Sequence, residues 1–120
     1  MERNWETIRE ILIAAENLQE DNTLSLSDFD NERAYEISYH VELLEESGLI
    51  YATLSKTLGG GPTDFFLRRL TWPGHELLDS IRSDSVWSKT KSTFQEKGIG
   101  MTFELVKEVA VAIAKSAAGL

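Results

Sequence analysis

The chain contains no cysteine among its 120 residues. A disulfide scaffold, a thiolate metal site and a thiol nucleophile are therefore excluded. It also lacks an apolar run long enough to cross a bilayer, and its first ten residues are charged where a secretory signal would be apolar. We expect a compact cytoplasmic protein with no membrane contact, and the length suits a single domain.

Basic residues are scarce in the first part of the chain. Residues 1–50 hold three basic and thirteen acidic side chains, a net charge of −10, whereas residues 51–120 carry a net charge of +2. Because nucleic-acid binding depends on a positive surface, any such surface must come from the second part. The alternative is that the acidic residues only keep the protein dispersed in solution.

Hydrophobic spacing predicts five helices. Apolar residues recur at intervals of three and four over residues 4–18, 32–47, 72–82, 84–97 and 103–118. The fourth helix is either separate from the third or continuous with it. Asn4, Thr71 and Thr102 stand where N-caps are expected, and Gly48 where the second helix should end.

Alternating residues predict a β-hairpin between the second and third helices. Residues 49–56 and 65–71 alternate in hydrophobicity, and the glycine-rich segment 59–64 between them is typical of a turn. Residues 24–26 alternate briefly, as a very short strand would. We therefore predict a mainly α protein with a small β-hairpin (α+β), a winged helix-turn-helix with additional C-terminal helices. Residues 1–82 are assigned to the winged-helix domain and residues 83–120 to a helical extension packed on it, within one compact domain.

Three segments share residues with a known family. They are Glu36-Ile37-Ser38-Tyr39-His40-Val41 with Leu43-Leu44-Glu45-Glu46-x-Gly48-Leu49-Ile50, Arg69-Leu70-Thr71-Trp72-x-Gly74-His75-Glu76-x-Leu78-Asp79-x-Ile81-Arg82, and Val86-Trp87-x-Lys89-x-Lys91. On these residues the chain resembles, over nearly its whole length, a domain-of-unknown-function family of small bacterial, phage and prophage proteins. The resemblance implies a winged-helix fold and carries over no activity and no binding residues.

The predicted recognition helix and wing supply the candidate contacts to double-stranded DNA. Ser38 and Tyr39 are expected on the exposed side of the second helix as base-reading groups. Lys56, Arg68 and Arg69 on the hairpin are expected to contact phosphates, although adjacent strand residues should point to opposite faces. The leading hypothesis is a DNA-binding, regulator-like protein of a phage or mobile element.

The second helix also supports a different class of function. Four glutamates are expected on its exposed side, it has no lysine or arginine, and carboxylates repel phosphate. The rival hypothesis is therefore an acidic protein-interaction module, an adaptor or inhibitor of a host or phage protein, that reuses the winged-helix fold.

No pattern in the sequence predicts catalysis, a metal site or a cofactor. His75 and Asp79 have the spacing of a base and its orienting carboxylate on a helix, but we expect them to be structural. The Gly59–Gly61 run is not followed by the Lys-Ser/Thr pair of a phosphate loop. We expect a non-enzymatic protein.

The last helix is apolar nearly all round, which predicts burial on more than one side. We expect it to form a homodimer, with intrachain packing as the alternative. The expected interface residues are Phe103, Val106, Val109, Ala110, Ile113 and Ala117. A separate cluster, Trp72, His75, Leu78 and Trp87, is expected to be buried where the hairpin meets the later helices.

Overall fold

The computed structural model describes residues 1–56 and 59–120, and it contains five helices and one hairpin among them. The helices are α1 (Trp5–Glu16), α2 (Ala34–Glu46), α3 (Trp72–Ile81), α4 (Asp84–Lys97) and α5 (Phe103–Ala118). The strands are β1 (Ile50–Ser55) and β2 (Asp64–Leu70), paired antiparallel. The mainly helical α+β class and the order of elements predicted from the sequence are confirmed.

The chain divides into two compact units, residues 1–75 and residues 76–120. The boundary falls inside α3, earlier than the predicted boundary after residue 82. The first unit contains α1, α2 and the hairpin, and the second contains the rest of α3 with α4 and α5.

The core of the first unit is formed by the apolar stripes of α1 and α2 and by one face of the hairpin, since these elements contact one another. Its fully buried side chains include Ile11, Leu12, Ile37, Val41, Phe65 and Leu67. Asn4 caps α1 as predicted, since its Oδ1 accepts hydrogen bonds from the backbone N–H groups of Glu6 and Thr7 at 2.8 and 3.4 Å.

The segment between α1 and α2 is almost without regular structure. Leu24 forms an isolated antiparallel bridge with Leu67, with backbone hydrogen bonds of 2.9 and 2.8 Å, and so lies beside β2. Two single turns of 3-10 helix follow, Leu26–Asp28 and Asn31–Arg33. The short extended piece predicted at residues 24–26 is therefore present as one bridged residue.

Arg33 joins α1 to α2. Its guanidinium donates to both carboxylate oxygens of Glu10 at 2.9 and 2.8 Å, and to Glu36 at 2.8 Å. The Thr7 hydroxyl donates to the same Glu36 carboxylate at 2.6 Å. The hydrogen bonds from Arg33 and then from Thr7 lower the pKa of Glu36 from 4.5 to about 2.

His40 makes a second connection between these helices. It is buried, its Nε2 accepts a 2.8 Å hydrogen bond from the backbone N–H of Asn4, and its Nδ1 lies 2.7 Å from the carbonyl oxygen of Glu36. Since a carbonyl only accepts, Nδ1 must carry the proton. His40 is therefore a structural residue with both ring nitrogens bonded.

The start of α3 is fixed against the end of α2. The Thr71 hydroxyl donates to the Gly48 carbonyl at 2.6 Å and accepts from the Gly74 N–H at 3.1 Å, which makes Thr71 the N-cap of α3. The Thr71 N–H donates to the Leu49 carbonyl at 3.0 Å. A β-carbon on Gly74 would overlap that carbonyl oxygen, so the approach of the two segments requires glycine at position 74.

We predict that Gly74→Ala lowers the free energy of unfolding by about 3 kcal/mol or more, because the added methyl group collides with backbone that cannot move away freely. The measurement is urea denaturation followed by circular dichroism. Gly100→Ala is the matched control: a β-carbon there meets no atom within 4 Å, so the change should stay within about 0.5 kcal/mol. Equal effects of the two substitutions would contradict this account of the junction.

The Arg33–Glu36 ion pair predicts a specific dependence of stability on pH. The pKa of Glu36 is lower in the folded protein, so the stability it contributes is present above pH 4.5 and is lost as the pH falls towards 2. The Glu36→Gln substitution should lower the free energy of unfolding by about 1 kcal/mol or less at neutral pH, since the ion pair is partly exposed. Over the pH range in which Glu36 becomes protonated, the stability of this variant should fall less steeply than that of the wild type. Glu46 lies at the exposed end of α2, and the stability of the Glu46→Gln variant should fall with pH as that of the wild type does. Urea unfolding at a series of pH values tests both, and parallel curves for Glu36→Gln and wild type would exclude the effect.

Candidate interaction site on the second helix and the hairpin

The outward side of α2 combines aromatic and acidic side chains, which we call the acidic face: Tyr35, Tyr39, Glu42, Glu45 and Glu46. Tyr35 is 61% exposed, Glu45 and Glu46 are exposed, and Tyr39 and Glu42 are half-buried. The helix contains no lysine or arginine. The acidic face therefore presents three carboxylates and two phenol rings, and α2 itself supplies no lysine or arginine to pair with them.

Ser38 does not lie on this face, contrary to the prediction from the sequence. It is 4% exposed, and its hydroxyl accepts a 2.8 Å hydrogen bond from the backbone N–H of Thr63 in the hairpin turn. Ser38 is thus part of the connection between α2 and the hairpin, and the expectation that its side chain is exposed is wrong. Tyr39 is partly exposed, with its ring edge-on to His40 at 5.4 Å.

A small cleft opens between the acidic face and the hairpin turn. It has a volume of about 190 Å³, and its lining includes Tyr35, Tyr39, Glu42 and the segment 61–63. Aromatic rings beside a carboxylate attract a cation through the ring quadrupole and through charge. The cleft is therefore suited to the ammonium or guanidinium group of a basic side chain.

The outer face of the hairpin carries the basic side chains. The register shifts between Tyr51 and Ala52, so that Tyr51 pairs with Arg69 while Ala52 pairs with Leu67. Arg68 is the extra residue of this β-bulge, and both Arg68 and Arg69 are exposed. The bulge interrupts the alternation of side chains on which the expectation that these arginines point to opposite faces was based.

Aromatic side chains accompany these cations on the hairpin. The Arg69 guanidinium lies 4.2 Å from the centre of the Tyr51 ring and donates to the Leu70 carbonyl at 3.1 Å. Phe66 is exposed on the same strand, and Lys56 is exposed just after β1. We call these five residues, Tyr51, Lys56, Phe66, Arg68 and Arg69, the hairpin patch.

Carboxylates lie close to the two arginines. Arg68 and Arg69 line a cavity of about 280 Å³ whose other residues include Glu16, Glu20 and Asp21 at the end of α1. The residues around this cavity therefore include two arginines and three acidic residues, and the nearby negative charge reduces the positive potential of the hairpin patch.

The tryptophan cluster predicted from the sequence is only half correct. Trp87 and Leu78 are buried, as expected, but Trp72 is 78% exposed and His75 is exposed as well. Leu70 and Thr71 enter the junction with Gly48 and Leu49, whereas Trp72 is the first residue of α3 and projects into solvent. Asp79, considered as a partner of His75, forms a 2.8 Å ion pair with Arg82.

Helix α5 has one covered side and one open side. Val106 and Ala110, which were expected at a dimer interface, are 0% exposed in the single chain and so belong to its own core. Phe103, Val109 and Ile113 are half-buried, and Ala117 is exposed. The predicted stripe is therefore largely the side that the chain itself covers.

Within residues 1–56 and 59–120, no cluster of three His, Cys, Asp or Glu side chains is placed to hold a metal ion. No helix in the same ranges combines the length and the hydropathy that a membrane crossing needs.

Comparison with known proteins identifies relatives of this chain. An uncharacterized protein of Haemophilus influenzae is 40% identical over 117 residues, which cover 94% of this chain and 95% of that protein. No solved structure matches the chain. The family described as "Hypothetical protein (DUF2513)" matches residues 2–100. With most of its length matched in this way, the chain belongs to the DUF2513 family.

Proposed function

We propose that residues 1–75 and the rest of α3 form a winged helix. The order α1, α2, hairpin, α3 supports this, and the Leu24–Leu67 bridge adds the short third strand that such folds place beside the wing. In this interpretation α2 is the recognition helix and the hairpin is the wing. The two 3-10 turns between Leu26 and Arg33 replace the first helix of the usual helix-turn-helix pair.

We infer that the protein is a non-catalytic module whose acidic face binds a basic segment of another protein. The observation that carries this proposal is the charge on α2: the helix exposes Glu45 and Glu46 and contains no lysine or arginine, and Arg33 just before it is already held by Glu10 and Glu36. Such a surface repels phosphate and attracts lysine and arginine. The burial of Ser38 removes one of the base-reading groups that α2 was expected to offer.

The cleft supplies the specific part of this interaction. A lysine or arginine of the partner enters between Tyr35 and Tyr39, and its charge is balanced by Glu42. Glu45 and Glu46 on the next turn attract the neighbouring basic residues of the partner. The role that follows is that of an adaptor or inhibitor of a host or phage protein. Such a protein acts in a reducing cytoplasm, which suits a chain without cysteine.

A peptide-binding experiment tests this proposal. We expect the protein to bind a fluorescent octa-arginine peptide by anisotropy, and Tyr35→Ala with Glu42→Gln to weaken binding about tenfold, because both the ring contact and the charge are lost. Glu96→Gln with Tyr51→Phe is the matched control, since it removes one carboxylate and alters one tyrosine outside the acidic face. Equal losses in the two double variants would show that only net charge matters and would reject the site.

The hairpin patch supports a second candidate, a DNA-binding regulator of the phage or mobile-element type. The β-bulge brings Arg68 and Arg69 to solvent together, beside Tyr51 and Phe66. This face of the hairpin is opposite to the buried face of Phe65 and Leu67, so phosphate can approach it away from the core. Binding through the wing would then depend on phosphate contacts and only weakly on sequence.

A salt titration with a random-sequence duplex distinguishes this candidate. With three cations in the patch, we expect the logarithm of the binding constant to fall with the logarithm of salt concentration with a slope of about −2.7. Arg69→Ala and Lys56→Ala should each reduce the magnitude of this slope by about 0.9 and weaken binding to every DNA sequence equally. Lys97→Ala, at the end of α4, should change neither the slope nor the affinity. Absence of a mobility shift at micromolar protein in low salt would eliminate the DNA candidate.

A further inference from the structure

The open side of α5 presents a face with opposite charges at its two ends. Glu108, Val111, Ala112 and Lys115, which we call the self-complementary face, line a shallow groove of about 330 Å³ together with Lys107. Val111 and Ala112 lie three and four residues after Glu108, and Lys115 lies three residues after Ala112 and four after Val111, which places all four on one side of the helix. An apolar centre is thus bordered by a carboxylate towards the N-terminus and by an ammonium group towards the C-terminus.

This face is turned away from the part of α5 that the chain covers. Val106 and Ala110 are fully buried, whereas Glu108, Ala112 and Lys115 are exposed and Val111 is half-buried. Lys107, at the edge of the groove, has its ammonium group 3.4 Å from the Glu76 carboxylate in the same unit. The charges that remain on the face are therefore Glu108 and Lys115.

The positions of these two charges define a symmetry. Glu108 and Lys115 are seven residues apart, about 10 Å along the helix, and lie equally far from the point between Val111 and Ala112. A two-fold axis through that point, perpendicular to α5, exchanges the positions of the two charges. A second α5 packed antiparallel would then set each carboxylate opposite an ammonium group, while a parallel partner would set like charges together.

We propose that the self-complementary face binds a second copy of this chain, with the two α5 helices antiparallel. Glu108 then pairs with the partner's Lys115, and Lys115 with the partner's Glu108. Val111 and Ala112 meet at the axis, where the short alanine side chain allows the helices to approach closely. The interface differs from the one predicted from the sequence because Val106 and Ala110 are already covered.

The size of the contact sets the expected strength of the dimer. Two helix faces of this length bury less than the roughly 1,600 Å² of a standard specific interface, so we expect dissociation in the micromolar range. The mass by sedimentation equilibrium should rise with concentration from the 13.5 kDa of one chain towards twice that value.

Charge exchange provides the decisive experiment. Glu108→Lys and Lys115→Glu should each weaken the dimer at least about tenfold, because each creates two like-charge pairs across the axis. The double variant E108K/K115E should regain the wild-type association, and an equimolar mixture of the two single variants should form a heterodimer. Circular dichroism shows whether each variant is folded, and Glu96→Lys, exposed on α4, is the control that should leave the mass unchanged.

Three outcomes would overturn the proposal. The first is a wild-type mass that stays at one chain up to about 500 µM, well above the expected dissociation constant. The second is a double variant as weak as the single ones, and the third is a mixture of single variants that fails to associate. Either of the last two would mean that the face serves another occupant, such as a different protein, or none.

Discussion

The contact between the Leu49 carbonyl and the backbone around Gly74 is the constraint on which the first unit depends. At this contact, the end of α2, the start of β1, the end of β2 and the start of α3 meet. The Thr71 hydroxyl donates to the Gly48 carbonyl and also caps α3, and the Thr71 N–H donates to the Leu49 carbonyl. Because both ends of the hairpin are held here, the position of the hairpin beside α2 follows from a few hydrogen bonds and one missing β-carbon.

Charge is distributed between the two units in a way that bears on function. Residues 1–75 hold six basic and fourteen acidic side chains, whereas residues 76–120 hold six of each. Within the first unit, Arg33 is occupied by Glu10 and Glu36, and Arg68 and Arg69 share a cavity with carboxylates. Part of the excess negative charge lies on α2, in Glu42, Glu45 and Glu46. A positive partner is the simplest complement to such a surface.

The helices and strands were largely predictable because their signals are local. Asn4 and Thr102 cap the helices that the spacing of apolar residues predicts, since a cap needs only the next three backbone groups. Glycine-rich turns and alternation predicted the hairpin for the same reason. The junction was partly visible, because Gly48, Thr71 and Gly74 stand out at helix ends, but their mutual contact joins positions more than twenty residues apart.

The candidate site was less predictable, because it depends on which side of each element the rest of the chain covers. By itself, the sequence determined the acidic character of α2, the order of the elements and the residues at the helix ends. Only the tertiary structure decided that Ser38 bonds to the hairpin turn, that a bulge exposes Arg68 and Arg69 together and that Trp72 is outside the core. It also decided which side of α5 is buried. Periodicity identifies a stripe on a helix, but the neighbours that cover the stripe are set by packing between segments distant in the chain.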